Sequence, residues 1–322
     1  MYSPMTKPHV VLIGATGFIG TQVAAALSTA GYSLSLVSRR RERRKQTLLL
    51  PDCHVLQGNV HDRDALAELI AGANVVVSMA GILNEDRKGD FDRVHHQLPK
   101  NIAAACAAAG VSRLLHLGAL KAEDNAPSQY LRTKAAGAQA VMAAESDTLH
   151  VTSFHPSVVF GPGDDFFNRF ANLLTAIPVM FPLACPRARF APVYVQDVAQ
   201  AMANSITDKT TYGQSYNLCG PNQYQLIDLV RYVAEVTRQE RKIVGLSSGL
   251  SRLQAHVMGL APVKLFTVDN YNSMKVDSTC EGDDLARLGV SATGVEAIVP
   301  LYLGERSKQR GLDRFRARAA RD

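Results

Sequence analysis

The stretch that most constrains this chain lies near its start, where Val10-Val11-Leu12-Ile13 runs into Gly14-Ala15-Thr16-Gly17-Phe18-Ile19-Gly20, three glycines spaced three apart. The pattern predicts a strand, a tight turn and a helix that continues to about Ala30. A helix N-terminus offers backbone N–H groups with no intrahelical partner and the positive end of the helix dipole, so a phosphate is the natural occupant beyond the turn. Gly14 would permit the turn, Gly17 the close approach of backbone to a pyrophosphate, and Gly20 the packing of helix on strand. Glycines that follow an apolar strand and open a helix are read as a dinucleotide-binding turn, with Thr16, Phe18 and Ile19 completing it.

The next segments extend that reading. Tyr32 to Val37 alternates polar and apolar residues after Gly31 and predicts a second strand. The residue that ends this strand meets the adenosine ribose, where a carboxylate would hold a free 2′-hydroxyl and repel a 2′-phosphate. Here Ser38-Arg39-Arg40 stands instead, a hydroxyl and guanidinium groups suited to a phosphate. NADP(H) is therefore expected in preference to NAD(H), with Arg39 contributing most, while Arg41 to Lys45 reads as a solvated face. Cys53 to Gln57 predicts a third strand, and Asn59 and Val60 after it fall where an adenine ring would lie. Asn74 to Gly81 reads as a fourth strand covered on both faces, and its end, Ala80-Gly81, leaves room for a cofactor.

Asp90 to Ala109 has the alanine content of a helix, closed by Gly110, and Arg113 to Gly118 predicts a fifth strand. Tyr130-Leu131-Arg132-Thr133-Lys134 then opens a helix running to about Ser146, with Ser128 as its cap. A phenol and an ammonium four residues apart share a helix face, and the positive charge would favour the phenolate, so the pair is a candidate for proton transfer. A sixth strand from Thr148 leads to His155-Pro156, and His155 reads as a structural hydrogen-bonder. Pro178 to Pro186 looks like a wall or lid over a pocket.

Composition bounds what else the chain can be. Its 322 residues, 47% hydrophobic, suffice for one large or two ordinary domains with a sizeable core. Cys53, Cys106, Cys185, Cys219 and Cys280 are odd in number, scattered and without a C-x-x-C pair, which predicts neither a disulfide framework nor a metal site and suits a reducing cytoplasm. No signal-peptide pattern opens the chain, and no apolar run approaches the ~20 residues of a membrane span. The expectation is a cytoplasmic protein that reaches at most the inner face of a membrane. The net charge of +6 is local: residues 39–45 carry +5 and residues 305–322 carry +4, leaving −3 elsewhere. Specific nucleic-acid binding is therefore not expected. The tail places Leu312, Phe315 and Ala319 against Arg314, Arg316, Arg318 and Arg321, and reads as a frayed end, with peripheral contact to an anionic membrane as the competing reading.

With the glycine turn, the alternating strands and helices and Tyr130/Lys134, the chain resembles the extended short-chain dehydrogenase/reductases, which are epimerase/dehydratase-like. Within them it is similar to the atypical branch holding the NAD(P)H-binding accessory subunit of respiratory complex I and its bacterial relatives. Gly14, Gly17, Gly20, Asn59, Ala80, Gly81, Tyr130 and Lys134 carry the general likeness. His155 to Pro162, Asp164 to Phe170, Pro192 to Ala199 and Leu265 to Asn270 carry the likeness to the branch. The resemblance implies an α/β fold: a Rossmann-type doubly wound parallel sheet with a smaller interleaved C-terminal α/β substrate domain. It places the dinucleotide-binding domain at 1–165 with about 188–222, a substrate or lid domain at 166–187 and 223–303, and a basic tail at 304–322. It also implies Tyr130, Lys134, Pro156 and Ser157 as cofactor contacts and Tyr130 and Lys134 as catalytic.

Active members of that superfamily carry a Ser or Thr after the fifth strand and an Asn on the preceding helix; here stand Gly118-Ala119 and His95 or His96. Loss of an oxyanion donor costs about a hundred- to a thousandfold in rate. The leading expectation is an NADP(H)-binding protein, linked to the respiratory chain or ubiquinone metabolism and to a protein complex there, with weak or no catalysis. The second is an active oxidoreductase or epimerase on a small carbonyl, alcohol or quinone-like substrate. The third is a membrane or nucleic-acid binder acting through the basic segments.

Overall fold

The computed structural model describes residues 7–38, 50–177, 179–259 and 264–304. Arg39, Arg40, the basic run that follows them, and the tail after Gly304 lie outside the described residues. In chain order the elements begin β1 (His9–Ile13), α1 (Phe18–Thr29), β2 (Ser33–Ser38), β3 (Cys53–Gln57), α2 (Arg63–Ile70), β4 (Val75–Ser78) and α3 (Asp90–Asp92). A π-helical turn (Arg93–Gln97) joins α3 to α4 (Leu98–Ala109), followed by β5 (Arg113–Leu117), α5 (Gln129–Met142), β6 (His150–Pro156), β7 (Val159–Phe160) and α6 (Phe167–Ala176). Then come β8 (Met180–Leu183), β9 (Arg189–Phe190), β10 (Val193–Tyr194), α7 (Val195–Asn204), β11 (Gln214–Leu218), β12 (Tyr224–Gln225), α8 (Leu226–Val236) and β13 (Lys242–Gly245). The described chain closes with α9 (Ser248–Gly259), α10 (Val268–Ser273), α11 (Asp284–Arg287) and α12 (Val295–Leu303).

Two compact units divide the chain. Of the described residues, the first holds 7–38, 50–156, 196–218 and 282–290. Its sheet is parallel throughout, in the order β11-β6-β5-β4-β1-β2-β3. The strands are apolar because helices cover both faces, as an all-parallel sheet requires. On one face Val11, Ile13, Val76, Leu114 and Val151 pack with Leu66, Ile70, Leu98, Ile102, Cys106 and Val141 of the covering helices. The strand order reverses direction between β1 and β4, and ligands of such sheets bind at the carboxyl ends beside that point. This is a Rossmann-type doubly wound sheet.

Local chemistry sets the helix ends. Asp62 accepts from the N–H groups of Asp64 and Ala65, making it the cap of α2, and Ser128 Oγ accepts from Leu131 N at the start of α5. Gly110 closes α4 in the left-handed conformation. The helix expected over 90–109 is interrupted by the π turn at Arg93–Gln97, which places one residue too many in that turn. Away from the glycine turn, buried Arg113 reaches His150 O, Thr152 Oγ1, Ser205 O and Thr211 Oγ1, tying β5 and β6 to the end of α7.

Of the described residues, the second unit holds 157–177, 179–195, 219–259, 264–281 and 291–304. Its strands form two-stranded pairs, β10 with β7, β12 with β9 and β13 with β8. Phe160, Phe166, Phe167, Phe170, Phe181 and Phe190 form a connected aromatic cluster in it. Buried Asp164 accepts from Gly161 N, Asn168 N and the Tyr302 hydroxyl. These units cut the chain differently from the boundaries expected at 165, 188 and 222. Residues 157–165 and 188–195 fall in the second unit because β7 pairs with β10. Residues 282–290 return to the first, where Asp284 accepts from Asn217 N on β11.

The cysteines require a correction. Cys219 and Cys280, expected to be unpaired, form a disulfide, with Cα atoms 6.0 Å apart. Nothing in their spacing announces it, because the pairing is made by one strand segment bracketed on two sides. Ser278 N donates to Arg189 O and Ala191 N donates to Ser278 O, while Gly220 N donates to Ala191 O. A Cβ on Gly220 would meet Pro192 O at 1.9 Å, so that approach is open to glycine alone. Cys53, Cys106 and Cys185 are free thiols. No helix among the described residues is long and apolar enough to cross a membrane.

Candidate dinucleotide and catalytic site

The turn between β1 and α1 is shaped by what glycine omits. Gly14 has φ +88°, and a Cβ there would meet Ala80 N and Met79 C at 2.7 Å, so β4's end lies directly against it. A Cβ on Gly20 would sit 2.4 Å from Gly14 O and 2.5 Å from Ala15 Cα, so only glycine lets α1 start this close to β1. Gly17 differs: it is exposed, its nearest neighbour for a Cβ is Gly14 O at 3.5 Å, and it caps α1 with no side-chain bond to the helix. The first N–H groups of α1, at Phe18 and Ile19, have no carbonyl one turn before them. A backbone cradle sealed below by Gly14 and Gly20 and open above at Gly17 fits a pyrophosphate.

The other expected cofactor residues gather unevenly around this cradle. Ser38 ends β2, one strand from β1, and Gly58 N donates to Ser38 O, which brings Asn59 and Val60 beside it. Asn59 Oδ1 accepts from His61 N, a local turn that holds its side chain. Ala80 touches Gly14, and Gly81 continues toward α5, where a Cβ would stand 3.4 Å from Lys134 Nζ and 3.8 Å from His95 Nε2. Pro156 ends β6 and accepts from Leu120 N. Ser157 belongs to the second unit, and its hydroxyl is committed to Ser278, which makes it a strut. Among the described residues no group of three or more His, Cys, Asp or Glu side chains could hold a metal ion.

Tyr130 and Lys134 lie four residues apart on α5, and their environment is dry. Lys134 is buried, Nζ donates to Leu117 O at 3.2 Å, and burial brings its ammonium down to about 8. Tyr130 packs edge-on against Phe91 and His95, with centroids 5.9 and 5.2 Å away, and burial pushes its phenol up to about 12. The expectation that Lys134 draws the phenol down is corrected: desolvation dominates, so Tyr130 is a protonated phenol at neutral pH.

Of the two histidines at the expected asparagine position, His95 faces inward, while His96 bonds Asp92. Ile82 N donates to His95 Nε2, so the ring proton is on Nδ1, which donates to Thr133 Oγ1; that hydroxyl donates to the Gln129 and Tyr130 carbonyls. Both ring nitrogens are thus committed, and burial with nearby Lys134 holds the imidazole neutral down to about 2. His95 is a brace between β4's end and α5. The close packing rests on Gly137, whose Cβ would lie 1.8 Å from His95 O.

At Gly118 the space for a side chain is filled. A Cβ there would meet His155 Nδ1 at 2.7 Å and Cε1 at 2.9 Å. His155 Nδ1 donates to Ala119 O at 3.3 Å, which leaves Nε2 as an acceptor, and burial lowers the ring's pKa so that it stays neutral. An imidazole acceptor thus stands where a hydroxyl donor would be. Beneath it His116 is fully enclosed, with neither ring nitrogen hydrogen-bonded, and Ser153, its registered neighbour on β6, likewise has no partner for its hydroxyl. Sequence reasoning passed over His116, and it gave His155 only a structural role. The available signal was Gly118 itself, which follows Leu117 as His155 follows the registered Phe154.

The model of the NAD dependent epimerase/dehydratase family matches residues 10–219, about two thirds of the chain. The chain belongs to that family. Among family relatives, the mouse mitochondrial NADH dehydrogenase [ubiquinone] 1 alpha subcomplex subunit 9 is 29% identical over 292 residues, 88% of this chain and 77% of the mouse protein. The ceramide reductase of Caulobacter vibrioides is 31% identical over 190 residues, 59% of this chain and 58% of that protein. In fold, the chain is similar to the NADPH-dependent quinone oxidoreductase of Escherichia coli, solved with NADPH. That likeness has a TM-score of 0.72 at 17% identity and covers 91% of this chain and 99% of the other.

Proposed function

We propose that this epimerase/dehydratase-family protein binds NADP(H) in preference to NAD(H), is linked to the respiratory chain or ubiquinone metabolism, and turns over weakly or not at all. The observation that carries the weak turnover is the filled space at Gly118, where His155 offers an acceptor in place of the hydroxyl donor expected after β5. A bound nicotinamide would supply a hydride. On this chain, Tyr130 and Lys134 are the groups assigned to the site's chemistry: Tyr130 holds a proton on a phenol pushed to about 12, and Lys134 keeps donors free of Leu117 for hydroxyls. The phosphorylated cofactor is favoured because Ser38, not a carboxylate, ends β2, with Arg39 and Arg40 following in sequence. The respiratory link rests on the mouse relative's name, which supports a role within a protein complex. A cytoplasmic location remains part of the proposal, without the cysteine argument for it, which the Cys219–Cys280 disulfide removes.

The second reading, a working reductase on a carbonyl, alcohol or quinone-like compound, is favoured by the retained Tyr130/Lys134 pair and by the Caulobacter relative's name. Titration with NADPH and NADH, followed by NADPH oxidation over a carbonyl and quinone panel, separates the two. Saturable NADPH binding without turnover supports the first. Turnover that Tyr130→Phe abolishes overturns it in favour of the second. An unchanged NADPH affinity in Arg39→Ala would sink the assignment of the 2′-phosphate.

A further inference from the structure

Six of the eight large apolar side chains exposed among the described residues belong to one part of the second unit, between Val179 and Leu265. Leu250, Leu253 and Val257 on α9 are 53, 58 and 62% exposed and stand at i, i+3 and i+7, a single stripe on the helix. The opposite side of α9 is seated: Ser251 and Ala255 are buried, Ser251 Oγ accepts from Cys185 N, and Gln254 Nε2 donates to Pro182 O. α9 therefore runs back along β8, toward its first residue. There Val179 and Met180 are 78 and 52% exposed, with Met180 registered against exposed Lys242 on β13.

We propose that this face, the outer stripe of α9 with Val179 and Met180, docks on an anionic lipid bilayer, its aliphatic side chains entering the acyl boundary and its basic rim meeting the headgroups. Charge decides between occupants. α9 contains Arg252 and no carboxylate, and exposed Lys242 is registered beside Met180, while the one carboxylate of α10, which packs on α9, is Asp269. Cations at the edge of an aliphatic helix stripe, here Arg252 and Lys242, are the pattern of an in-plane interfacial helix, and each cation near an anionic surface strengthens the contact. Protein-docking surfaces centre on Trp, Tyr and Arg anchors, and the stripe itself, Leu250, Leu253 and Val257, has none of them. The proposal relocates membrane contact from the C-terminal tail to α9 and is independent of whether the protein turns over a substrate.

The test is co-sedimentation of the full chain with vesicles of phosphatidylcholine, alone or with about 30% phosphatidylglycerol. Wild type is expected to pellet with the anionic vesicles and to be released by salt. The pair Leu253→Ser and Val257→Ser, both exposed and so without effect on the circular-dichroism melt, is expected to lower partitioning at least about tenfold. Lys242→Gln with Arg252→Gln weakens binding to anionic vesicles only. Replacing the tail arginines 314, 316, 318 and 321 by glutamine leaves binding in place. Four results overturn the proposal: wild type stays in the supernatant; the serine pair binds like wild type; the tail substitutions alone abolish binding; or the serine pair dissolves a dimer seen by light scattering while vesicle binding is unchanged, which would assign the face to a second copy of the chain.

Discussion

The turn at Gly14–Gly20 and the Tyr130 end of α5 stand on the same parallel sheet, yet the first is made of backbone and the second of buried side chains. At the turn each requirement is a missing atom: a Cβ at Gly14 or Gly20 would run into main chain, while Gly17 opens to solvent. At α5 the requirements are about charge in a dry place, where burial lifts the Tyr130 phenol, lowers the Lys134 ammonium and keeps three histidines neutral. A backbone cradle tolerates no substitution at its tight positions but costs the fold nothing electrostatically. The buried cluster is tolerant in shape and expensive in solvation, which marks it as a site held for something other than stability.

The largest effect expected from this contrast lies at the turn. Gly20→Val should cost about 3 kcal/mol or more in denaturant unfolding and abolish NADPH binding, because the added atoms meet main chain. Gly17→Val should cost only about 1 kcal/mol, as a poorer cap of α1, yet lose the cofactor; equal loss of stability at both positions would break the distinction. Next, Lys134→Met should raise stability at pH 7 by about 1–3 kcal/mol, since it removes a charge that burial disfavours. The sign follows from the lowered pKa: the unfolded chain holds the lysine proton more tightly, so wild-type stability gains as pH rises from about 8 toward the free-lysine value, and the variant lacks that gain.

Gly118→Ala should cost about 1–2 kcal/mol by displacing the His155 ring, and most of that cost should vanish when His155→Ala is made in the same chain. Additive effects would mean the two residues do not compete for space. Acid should weaken the protein for a related reason. His95, His116 and His155 are neutral when folded and bind protons more readily when unfolded, so stability falls as pH drops below about 6.5, by up to about 1.4 kcal/mol per unit for each. His116→Leu should flatten that slope in pH-dependent melts with little loss at neutral pH, because no ring hydrogen bond is given up. The smallest effect is at the helix cap, where Ser128→Ala should cost about 1 kcal/mol through the lost bond to Leu131 N.

How much of this was legible in the sequence follows from the same contrast. Conformational demands leave local marks: the three glycines, the Ser128 cap and Gly110 after α4 could each be read at their own positions, as could the alternation of strands and helices. The π turn could not, since its extra residue slides within an alanine-rich helix without changing the composition around it. The Cys219–Cys280 bond and the meeting of Gly118 with His155 depend on which strands lie side by side and in what register, information carried by the whole sheet. The reversed balance at Tyr130 was hidden for another reason: the i to i+4 spacing of Lys134 was visible, but the rings of Phe91 and His95 that exclude water arrive from a distant segment.

The central claim is that the dinucleotide cradle is intact while the step after binding lacks the hydroxyl donor expected after β5, where His155 fills the space beside Gly118. Single-turnover mixing of the NADPH-loaded protein with a quinone and carbonyl panel, wild type beside Tyr130→Phe, tests it most directly. Saturable NADPH binding in both proteins, with oxidation rates that are slow and alike, is the expected result. Rapid oxidation by wild type that disappears in Tyr130→Phe would contradict it.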